Sequence, residues 1–356
     1  MTDMFCKAPY VRAFVMSDGR YRNCCAVKPE IQSQDRDIVH WWDRDQRFQN
    51  FKKQLSQNKF PAECSACEIQ ERTGHSLRTS LDNLHPVVNP VYPREWHIVF
   101  GSICNLACWT CNENFSTKIQ HHKIRAGLLP ESFVAPNTDF GFNWENLKNN
   151  IVKSYQYHDD VRICVLGGEP AFNPVVLEFI NFLLTEGYAS RTKLEITTNG
   201  TKNKRLFDAL EKSQNWKDLH VFVSVDAIGS RAEWIRYDSN WQEVDASIDY
   251  YIRCADYVEL HTTLSVLNIQ DLPDVVSYAQ KKNINHTIIP VIEPSFMSLM
   301  NWDGPNLNLD VARYQGLESY LDLVGKSPKP GSYQKLTDYI QSFGNQRRPK
   351  PLDQKF

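Results

Sequence analysis

The chain has 356 residues, of which 42% are hydrophobic and 12% aromatic, enough for one large globular domain and a smaller one. Its net charge of −2 excludes a strongly basic protein and argues against a nucleic-acid partner. Neither a bilayer-length apolar segment nor a secretion signal is recognisable, so we expect no membrane association. Ten cysteines in such a chain favour the reducing cytoplasm and metal binding over disulfide formation.

The N-terminal segment predicts a β-hairpin. Side chains alternate over residues 10–24, around a turn at residues 17–19 whose glycine can adopt a positive φ. Cys6 precedes the first strand and Cys24 follows the second, so the hairpin would bring these two thiols together. Cys25 is the alternative to Cys24, because adjacent residues at a strand end point in opposite directions.

Two further cysteines complete a predicted N-terminal metal site. After a predicted helix over residues 44–57, Cys64 and Cys67 open a second helix at a spacing that lets both bind one metal centre. The predicted thiolate ligands are Cys6, Cys24, Cys64 and Cys67. Four thiolates suit either a [4Fe–4S] cluster or a structural zinc ion, and the ligand set alone does not separate the two. Residues 84–93 contain three prolines and predict a linker.

A second cysteine group follows the strand that begins at Trp96, in a loop with Cys104, Cys108 and Cys111. Three thiolates leave one iron of a [4Fe–4S] cluster without a protein ligand, and an open metal position can bind a reactant. The alternatives are a zinc site or buried structural thiols. A structural zinc ion normally has four protein ligands, however, and no fourth Cys or His follows at close range.

Beyond this loop, strands and helices alternate as in a parallel α/β sheet. A helix over residues 112–125 and a loop over residues 127–141 come first. The predicted strands then cover residues 162–166, 193–198, 219–226, 258–266 and 286–291, and the helices cover 174–184, 204–213, 241–255 and 272–281. With the Trp96 strand they make six β/α repeats, which right-handed crossovers would curl into a partial (β/α)6 barrel.

The fold class is therefore α/β, with three predicted parts. Residues 1–90 form the cysteine-rich hairpin and helix module, and residues 91–295 form the partial barrel. Residues 296–356 form a C-terminal extension with helices at 309–323 and 333–343 and a basic tail.

Loops after the strands of such a barrel share one mouth, and several carry candidate site residues. Gly167, Gly168 and Glu169 follow the second strand. The two glycines allow a close backbone approach, and the carboxylate can accept hydrogen bonds from an ammonium group. Thr198 and Asn199 place polar groups at the end of the third strand.

Further candidates follow the fourth and fifth strands. Ser224 and Asp226 share one face of the fourth strand, and Arg236 beyond them has the planar fork that suits a carboxylate. Asn268, after the fifth strand, is a further polar candidate for ligand binding. Cys164 lies in mid-strand between apolar residues and is predicted to be a core thiol.

The cysteine loop resembles the signature of the radical S-adenosylmethionine (radical SAM) superfamily, C-x3-C-x-Φ-C with an aromatic residue usually at Φ. Cys104, Cys108 and Cys111 match it, while Thr110 occupies the Φ position and the aromatic residue is Trp109.

Three other segments resemble elements of the same superfamily. Residues 167–170 resemble its GGE-P motif, which holds the amino group of SAM, and residues 224–226 resemble the S-x-D element of SPASM-type members. Residues 19–24 resemble the G-x4-C element of the SPASM and twitch modules, which carry auxiliary clusters and usually follow the barrel. In this chain the corresponding module precedes the barrel.

The resemblance implies an enzyme of oxidoreductase or transferase type. SAM would bind the open iron, one electron would break its S–C5′ bond, and the resulting 5′-deoxyadenosyl radical would take a hydrogen atom from a substrate. SAM and a [4Fe–4S] cluster would be cofactors, with a second cluster or zinc at the N-terminal site. An external low-potential donor such as flavodoxin or ferredoxin would supply the electron.

The sequence says less about the substrate. A peptide or protein side chain is favoured, and a sugar- or nucleotide-derived small molecule is the alternative. An alternative of another class is a non-catalytic protein that binds zinc at both cysteine groups.

Overall fold

A computed structural model describes residues 5–25, 27, 33, 37–71, 78, 91–133, 144–211 and 215–344. The strands are β1 Arg12–Val15, β2 Tyr21–Arg22, β3 Glu95–Val99, β4 Ala107–Cys108, β5 Val161–Leu166, β6 Thr192–Thr198, β7 Asp218–Ser224, β8 Arg236–Tyr237, β9 Tyr257–Leu264 and β10 Asn285–Pro290. The helices are α1 Ala8–Val11, α2 Gln46–Ser56, α3 Ser65–Glu71, α4 Thr117–Arg125, α5 Trp144–Tyr157, α6 Pro174–Thr185, α7 Lys204–Glu211, α8 Gly229–Ile235, α9 Trp241–Cys254, α10 Leu272–Lys282, α11 Glu318–Leu321 and α12 Ser332–Gly344.

In the described residues, eight strands form one sheet in the order β10-β9-β7-β6-β5-β3-β1-β2, with β10 and β2 at its two ends. Six of these strands run parallel to their neighbours, as the β/α repeats predicted: β3, β5, β6, β7, β9 and β10. The mostly parallel sheet with surrounding helices confirms the α/β class and the partial-barrel arrangement. The short strands β4 and β8 pair separately as an antiparallel ribbon.

The N-terminal hairpin belongs to this same sheet, which the sequence did not reveal. Its strand β1 runs parallel to β3, and β2 pairs antiparallel with β1. Arg12 and Glu95 face each other in the register and form an ion pair of 2.7 Å, with side chains only 4% and 2% exposed. The cysteine-rich segment is thus joined to the barrel by strand pairing and by a buried charge pair.

The two faces of the sheet differ in character. Alternate strand residues such as Ile98, Ile163 and Ile196 are fully buried in the main hydrophobic core, against helices. The residues between them lie on the opposite face of the sheet, turned away from those helices. On the central strands these residues are polar and include His97 and Glu195. In a sheet curled with its helices outside, the polar face is the interior of the partial barrel.

A second hydrophobic core lies under the C-terminal segment. It joins Trp109 of the cysteine loop to residues of the extension, among them Met297, Trp302, Tyr314 and Leu336. The extension therefore packs against the loop that carries the second cysteine group.

Several predicted boundaries need correction. The first barrel helix starts at Thr117 instead of residue 112, because the Ser116 hydroxyl accepts the Ile119 amide and caps it there. The helix predicted over residues 309–323 is broken into short turns, and Gly316 has a φ of +79° at the break.

Several elements were not predicted, among them one long helix. Helix α5 was missed although its buried Leu147, Ile151 and Tyr155 recur at helical spacing. Helix α8 and strand β8 were also missed, since a helix of 7 residues and a strand of 2 residues leave little pattern in the sequence. Residues 84–90 of the predicted linker and residues 134–141 of the predicted loop lie outside the described residues.

Within the described parts of the chain, no helix combines the length and the apolar character that crossing a membrane would require.

Candidate functional site

The second cysteine group lies between β3 and α4, at the carboxyl end of the sheet. Burial raises the pKa of Cys104 to about 12, and the neighbouring Cys108 thiol adds to this effect. The pKa of Cys111 is likewise raised to about 12, by burial first and then by Cys108 and Cys104. The three thiols therefore lie close enough to affect one another's pKa values, in surroundings shielded from water. Metal binding there must displace their protons.

The two glycines after β5 are required by the cysteine loop. A Cβ atom on Gly167 would lie 2.6 Å from the Gly101 carbonyl oxygen, and one on Gly168 would collide with the backbone of Ile103. Both residues have positive φ, at +85° and +56°. The Glu169 amide then donates to the Ile103 carbonyl at 2.7 Å, so this turn is built onto the loop that leads into Cys104.

Glu169 is buried at the mouth of the barrel. One carboxylate oxygen accepts the Thr198 hydroxyl at 2.7 Å and the Ala171 amide at 3.2 Å, and the other accepts the Asn199 amide at 2.6 Å. Desolvation raises the pKa of Glu169, while these hydrogen bonds and the charge of Arg236 oppose the rise. The carboxylate is thus held in a fixed orientation between the ends of β5 and β6.

Asn199 connects the third strand end to the cysteine loop. Its side-chain nitrogen donates to Asn105 at 2.9 Å and approaches the Cys104 sulfur at 4.0 Å. The predicted residues Gly167, Gly168, Glu169, Thr198 and Asn199 therefore form one continuous wall beside Cys104.

Some of the remaining candidates line the mouth of the barrel, and others hold the residues that line it. Arg236 forms a buried ion pair with Asp226 at 2.9 Å and donates to the Cys108 sulfur at 3.9 Å. Asn268 is fully buried, and its side chain closes the turn after β9 by bonding Ser265 and two backbone carbonyls. Ser224 lies half-buried beside His261 in the sheet register.

Trp109, the aromatic residue of the cysteine loop, is 2% exposed. Its ring packs on Trp234 and Tyr339, with centroid distances of 5.5 and 5.8 Å. This residue anchors the loop in the second core.

The N-terminal cysteines surround a cavity. Its walls include all four predicted ligands together with apolar side chains and one cation: Cys6, Cys24, Cys64, Cys67, Phe51 and Arg78. Burial raises the pKa of Cys6 to about 12, and the thiols of Cys24 and Cys67 contribute to the rise. Cys24 is buried in this wall, whereas the adjacent Cys25 is exposed and lies outside it.

Within the described residues, no three or more His, Cys, Asp or Glu side chains are grouped to hold a single metal ion.

Sequence reasoning missed a polar cluster on the inner face of the sheet. Cys164 is buried as predicted, but its thiol donates to Glu195 at 2.8 Å and lies 3.4 Å from the His97 ring. Glu195 also accepts Arg162 at 2.7 Å. These residues are neighbours only in the strand register, so the cluster could have been predicted only if the register had been known.

Nearer the open end of the sheet, a second group lines the same face. His261 stacks on Phe222 with ring centroids 4.7 Å apart. Glu259 accepts the Tyr257 hydroxyl at 2.8 Å and also bonds Thr287 of β10. These side chains are partly or fully exposed, so they form an accessible polar wall beside the barrel mouth.

A parallel sheet with three cysteines and a glycine–glutamate turn at its carboxyl end is the arrangement of a SAM-binding iron–sulfur fold. The profile of the radical SAM superfamily matches residues 98–279, just over half of the chain. The chain belongs to the radical SAM superfamily, and membership implies SAM and a [4Fe–4S] cluster as cofactors.

Solved structures of the same class are similar at low identity. A histidine-tagged form of anSMEcpe with bound AdoMet is 16% identical, with a TM-score of 0.44, over 62% of this chain and 55% of that chain. Native anSMEcpe with bound AdoMet and Cp18Cys peptide is 16% identical, with a TM-score of 0.43, over 67% and 63%. Streptococcus suis SuiB bound to S-adenosylmethionine is 15% identical, with a TM-score of 0.42, over 83% and 57%.

In each case the match spans less than two thirds of the other chain. Among curated proteins, no sequence matches this chain.

The residues present fit the implied cofactors. Three thiols on one loop are the soft ligands that iron–sulfur clusters use, and in a [4Fe–4S] cluster each thiolate binds a different iron, so they need not converge on a single ion. The Glu169 carboxylate lies in the adjacent wall, where it can meet an ammonium group.

Proposed function

We propose that this protein is an enzyme that cleaves SAM reductively and uses the resulting radical to take a hydrogen atom from a substrate. The observation that carries the proposal is the joint placement of three cysteines, one buried and two half-buried, and the Gly167–Glu169 turn, packed on one loop. In this proposal Cys104, Cys108 and Cys111 bind a [4Fe–4S] cluster, and the bound cluster supplies the electron that breaks the S–C5′ bond of SAM.

The protein's own groups would orient SAM. Glu169, fixed by Thr198 and Asn199, offers its carboxylate to the methionine ammonium group. Arg236 is the proposed contact for the methionine carboxylate, and Ser224 is a proposed contact on the far side of the mouth. Asp226 and Asn268, which are fully buried, act through the groups that they hold.

The second core would exclude water from the reaction. Trp109, Trp302 and Tyr314 bury the outer side of the cysteine loop under the C-terminal extension. A dry site prevents quenching of a reactive radical by side reactions.

We further propose an auxiliary [4Fe–4S] cluster in the N-terminal cavity, bound by Cys6, Cys24, Cys64 and Cys67. All four thiols line one cavity, which supports a shared centre. Four protein ligands would saturate such a cluster, so its role would be to accept the electron left on the substrate radical. A structural zinc ion is the alternative at this site.

For the substrate, we propose a peptide or protein side chain. Strand β10 is an end strand of the sheet, and its Thr287 and Ile289 are exposed on the side of the polar wall. The backbone of an edge strand can pair with an extended peptide, and a small molecule does not use that feature.

The polar wall itself supports the second candidate, a sugar- or nucleotide-derived substrate. Glu259, His261 and Thr287 offer hydrogen-bonding groups that match hydroxyl-rich molecules.

An external low-potential donor such as flavodoxin or ferredoxin is the proposed electron source. The proposed location is the cytoplasm, a reducing compartment in which cysteines in groups bind metal more often than they form disulfides.

The test is anaerobic reconstitution with iron and sulfide, followed by dithionite and SAM and an assay of 5′-deoxyadenosine. Cys108→Ala should abolish the product. The matched control is Cys254→Ala, which removes a thiol from helix α9, outside both cysteine groups, and should leave the product unchanged. Undiminished 5′-deoxyadenosine in Cys108→Ala would contradict the proposal.

The substrate class can then be addressed with deuterated candidates. Deuterium transferred into 5′-deoxyadenosine from a labelled peptide would support the peptide proposal. Transfer only from a labelled sugar or nucleoside would favour the second candidate.

A further inference from the structure

Arg236 is fixed opposite a cluster ligand by backbone pairing. Strand β8 pairs antiparallel with β4, so that Arg236 faces Cys108 and Tyr237 faces Ala107. The Trp109 amide extends the pairing by donating to the Ile235 carbonyl at 3.0 Å. The segment after α8 is therefore attached to the cysteine loop at the position of the middle ligand.

The Arg236 side chain lies between a thiol and a carboxylate. Its Nη1 donates to the Cys108 sulfur at 3.9 Å, and its Nε lies 2.9 Å from Asp226 Oδ2. The two charged side chains are 13% and 0% exposed, so both are shielded from bulk water. Opposite charges at this distance interact strongly where the local dielectric is low.

Asp226 is itself immobilised. Its Oδ1 accepts the Thr263 amide of β9 at 2.8 Å, and its backbone carbonyl accepts the buried Asn268 side chain at 2.9 Å. The carboxylate thus holds the guanidinium from the sheet side and leaves the Nη1 end directed at the cysteine loop.

The neighbouring thiols have different described contacts. Cys104 receives the Leu106 amide at 3.5 Å and the neutral side chain of Asn199 at 4.0 Å. The Cys111 thiol donates to the Asn112 carbonyl at 3.7 Å. The charge of Arg236 also acts on Cys111, but the hydrogen bond from its guanidinium goes to Cys108.

We infer that Arg236 is a positioning residue that donates a charged hydrogen bond to the Cys108 thiolate, and that the Arg236–Asp226 pair sets the reduction potential of the cluster. This inference rests on the proposed function, since it assumes a cluster on Cys104, Cys108 and Cys111. Reduction potentials of iron–sulfur clusters depend on net charge and on hydrogen bonds to the sulfurs.

The sign of each contribution follows from electrostatics. Reduction adds negative charge to the cluster, so the nearby guanidinium stabilises the reduced form and raises the potential. The Asp226 carboxylate opposes this effect and keeps the potential lower. Neutralising the two partners should therefore move the potential in opposite directions.

The test is an anaerobic potentiometric titration of the reconstituted full chain, followed by electron paramagnetic resonance in the absence of SAM. The signal that SAM perturbs identifies the cluster at the barrel mouth. Arg236→Gln should shift its midpoint potential to more negative values, and Asp226→Asn should shift it to more positive values. Arg236→Lys, which keeps the charge, should lie between Arg236→Gln and the wild type.

Arg231→Gln is the matched control. Arg231 belongs to α8, the helix that leads into Arg236, but its guanidinium pairs with Asp271 and the Leu267 carbonyl instead of a cysteine. Its removal should leave the midpoint potential unchanged.

Four outcomes bear on the inference or on the proposed function. An unmoved SAM-free potential in Arg236→Gln, with weaker SAM binding, would show that Arg236 serves only as the carboxylate clamp and would overturn the inference. A shift of the same sign in Arg236→Gln and Asp226→Asn would overturn it as well, since a general structural disturbance has no charge dependence. If the Arg236→Gln variant fails to load iron, the midpoint potentials of Arg236→Lys and Asp226→Asn test the inference in its place. Absence of a SAM-perturbed cluster in the wild type would instead refute the proposed function.

Discussion

The two cysteine groups bury their thiols to a similar degree but lie in different surroundings. The N-terminal group has four thiols against apolar side chains such as Phe51 and Leu55. The barrel group has three thiols, beside the carboxylate of Glu169 and the guanidinium of Arg236. A set of four thiols in a mostly apolar wall, whose charged member is Arg78, suits a stable centre. An incomplete set beside a fixed carboxylate and a fixed guanidinium suits a centre that binds a charged reactant.

The prediction with the largest expected effect concerns whether the two cysteine groups bind separate metal centres. Cys64→Ala should lower the iron content from about eight to about four per chain, because each cubane holds four irons. Formation of 5′-deoxyadenosine should continue, while conversion of a substrate that requires the second cluster should stop. Iron analysis and the nucleoside assay measure the two effects.

Cys25→Ala is the control for that experiment, since Cys25 is exposed and lies outside the cavity wall. It should retain all the iron. If Cys25→Ala lost as much iron as Cys64→Ala, Cys25 would be the ligand in place of Cys24. Loss of one zinc and no iron in Cys64→Ala would establish the zinc alternative.

The next prediction concerns stability and the buried ion pair that connects the N-terminal hairpin to the barrel sheet. Glu95→Ala would leave Arg12 buried without its partner, and breaking a buried ion pair costs about 3–5 kcal/mol of unfolding free energy. Because this pair joins the hairpin to the barrel sheet, denaturant melts should show one shifted transition for both regions.

Asp18→Ala, which removes an exposed ion pair with Arg20, should cost less than about 1 kcal/mol. Separate unfolding transitions for the two regions in the wild type would show that the hairpin is an independent unit.

A smaller effect is expected at the SAM wall. Glu169→Gln would remove the charge that faces the methionine ammonium group, and a hydrogen bond to a charged group contributes about 1.5–3 kcal/mol. SAM affinity should fall about 10-fold or more, measured by SAM titration of the cluster's resonance signal.

The matched control for this change is Glu178→Gln on the exposed side of α6, which should leave SAM affinity unchanged. The spectrum of the N-terminal centre should not respond to SAM in any variant. A response there would mean that this centre also has an open position.

The smallest effect is a pH dependence. Burial raises the pKa of Glu169, and only the ionised carboxylate attracts the ammonium group. The ionised fraction falls as the pH drops through this raised pKa, so SAM affinity should decline on acidification at a higher pH than an ordinary glutamate would produce. In Glu169→Gln this part of the pH dependence should be absent, and an unchanged profile would assign it to another group.

Much of the fold could be predicted because most of the longer elements carry a local pattern. The hairpin turn was recognisable from Gly19, which has a φ of +82° in the structure, and the barrel strands from their apolar runs. Helix α5 had an equally clear pattern and was overlooked. Strand β8 has no such pattern, since 2 residues show no periodicity and their pairing with β4 depends on distant parts of the chain.

The candidate site divides in the same way. The spacing of Cys104, Cys108 and Cys111 and the Gly167–Glu169 turn are visible in the sequence, because ligands on one loop must be close along the chain. The partners of Arg236 and the neighbours of Cys164 were not visible, because they come from strands far apart in sequence. Cys164 was expected among apolar residues, and the register instead places it beside Glu195 and His97.

The amino-acid sequence by itself determined the class of protein, since thiol spacing and strand–helix alternation are local properties. Only the tertiary structure decided that the hairpin shares the barrel sheet and that Asp226 holds Arg236 against Cys108. Those arrangements arise from strand register and burial, which bring together residues that no local pattern connects.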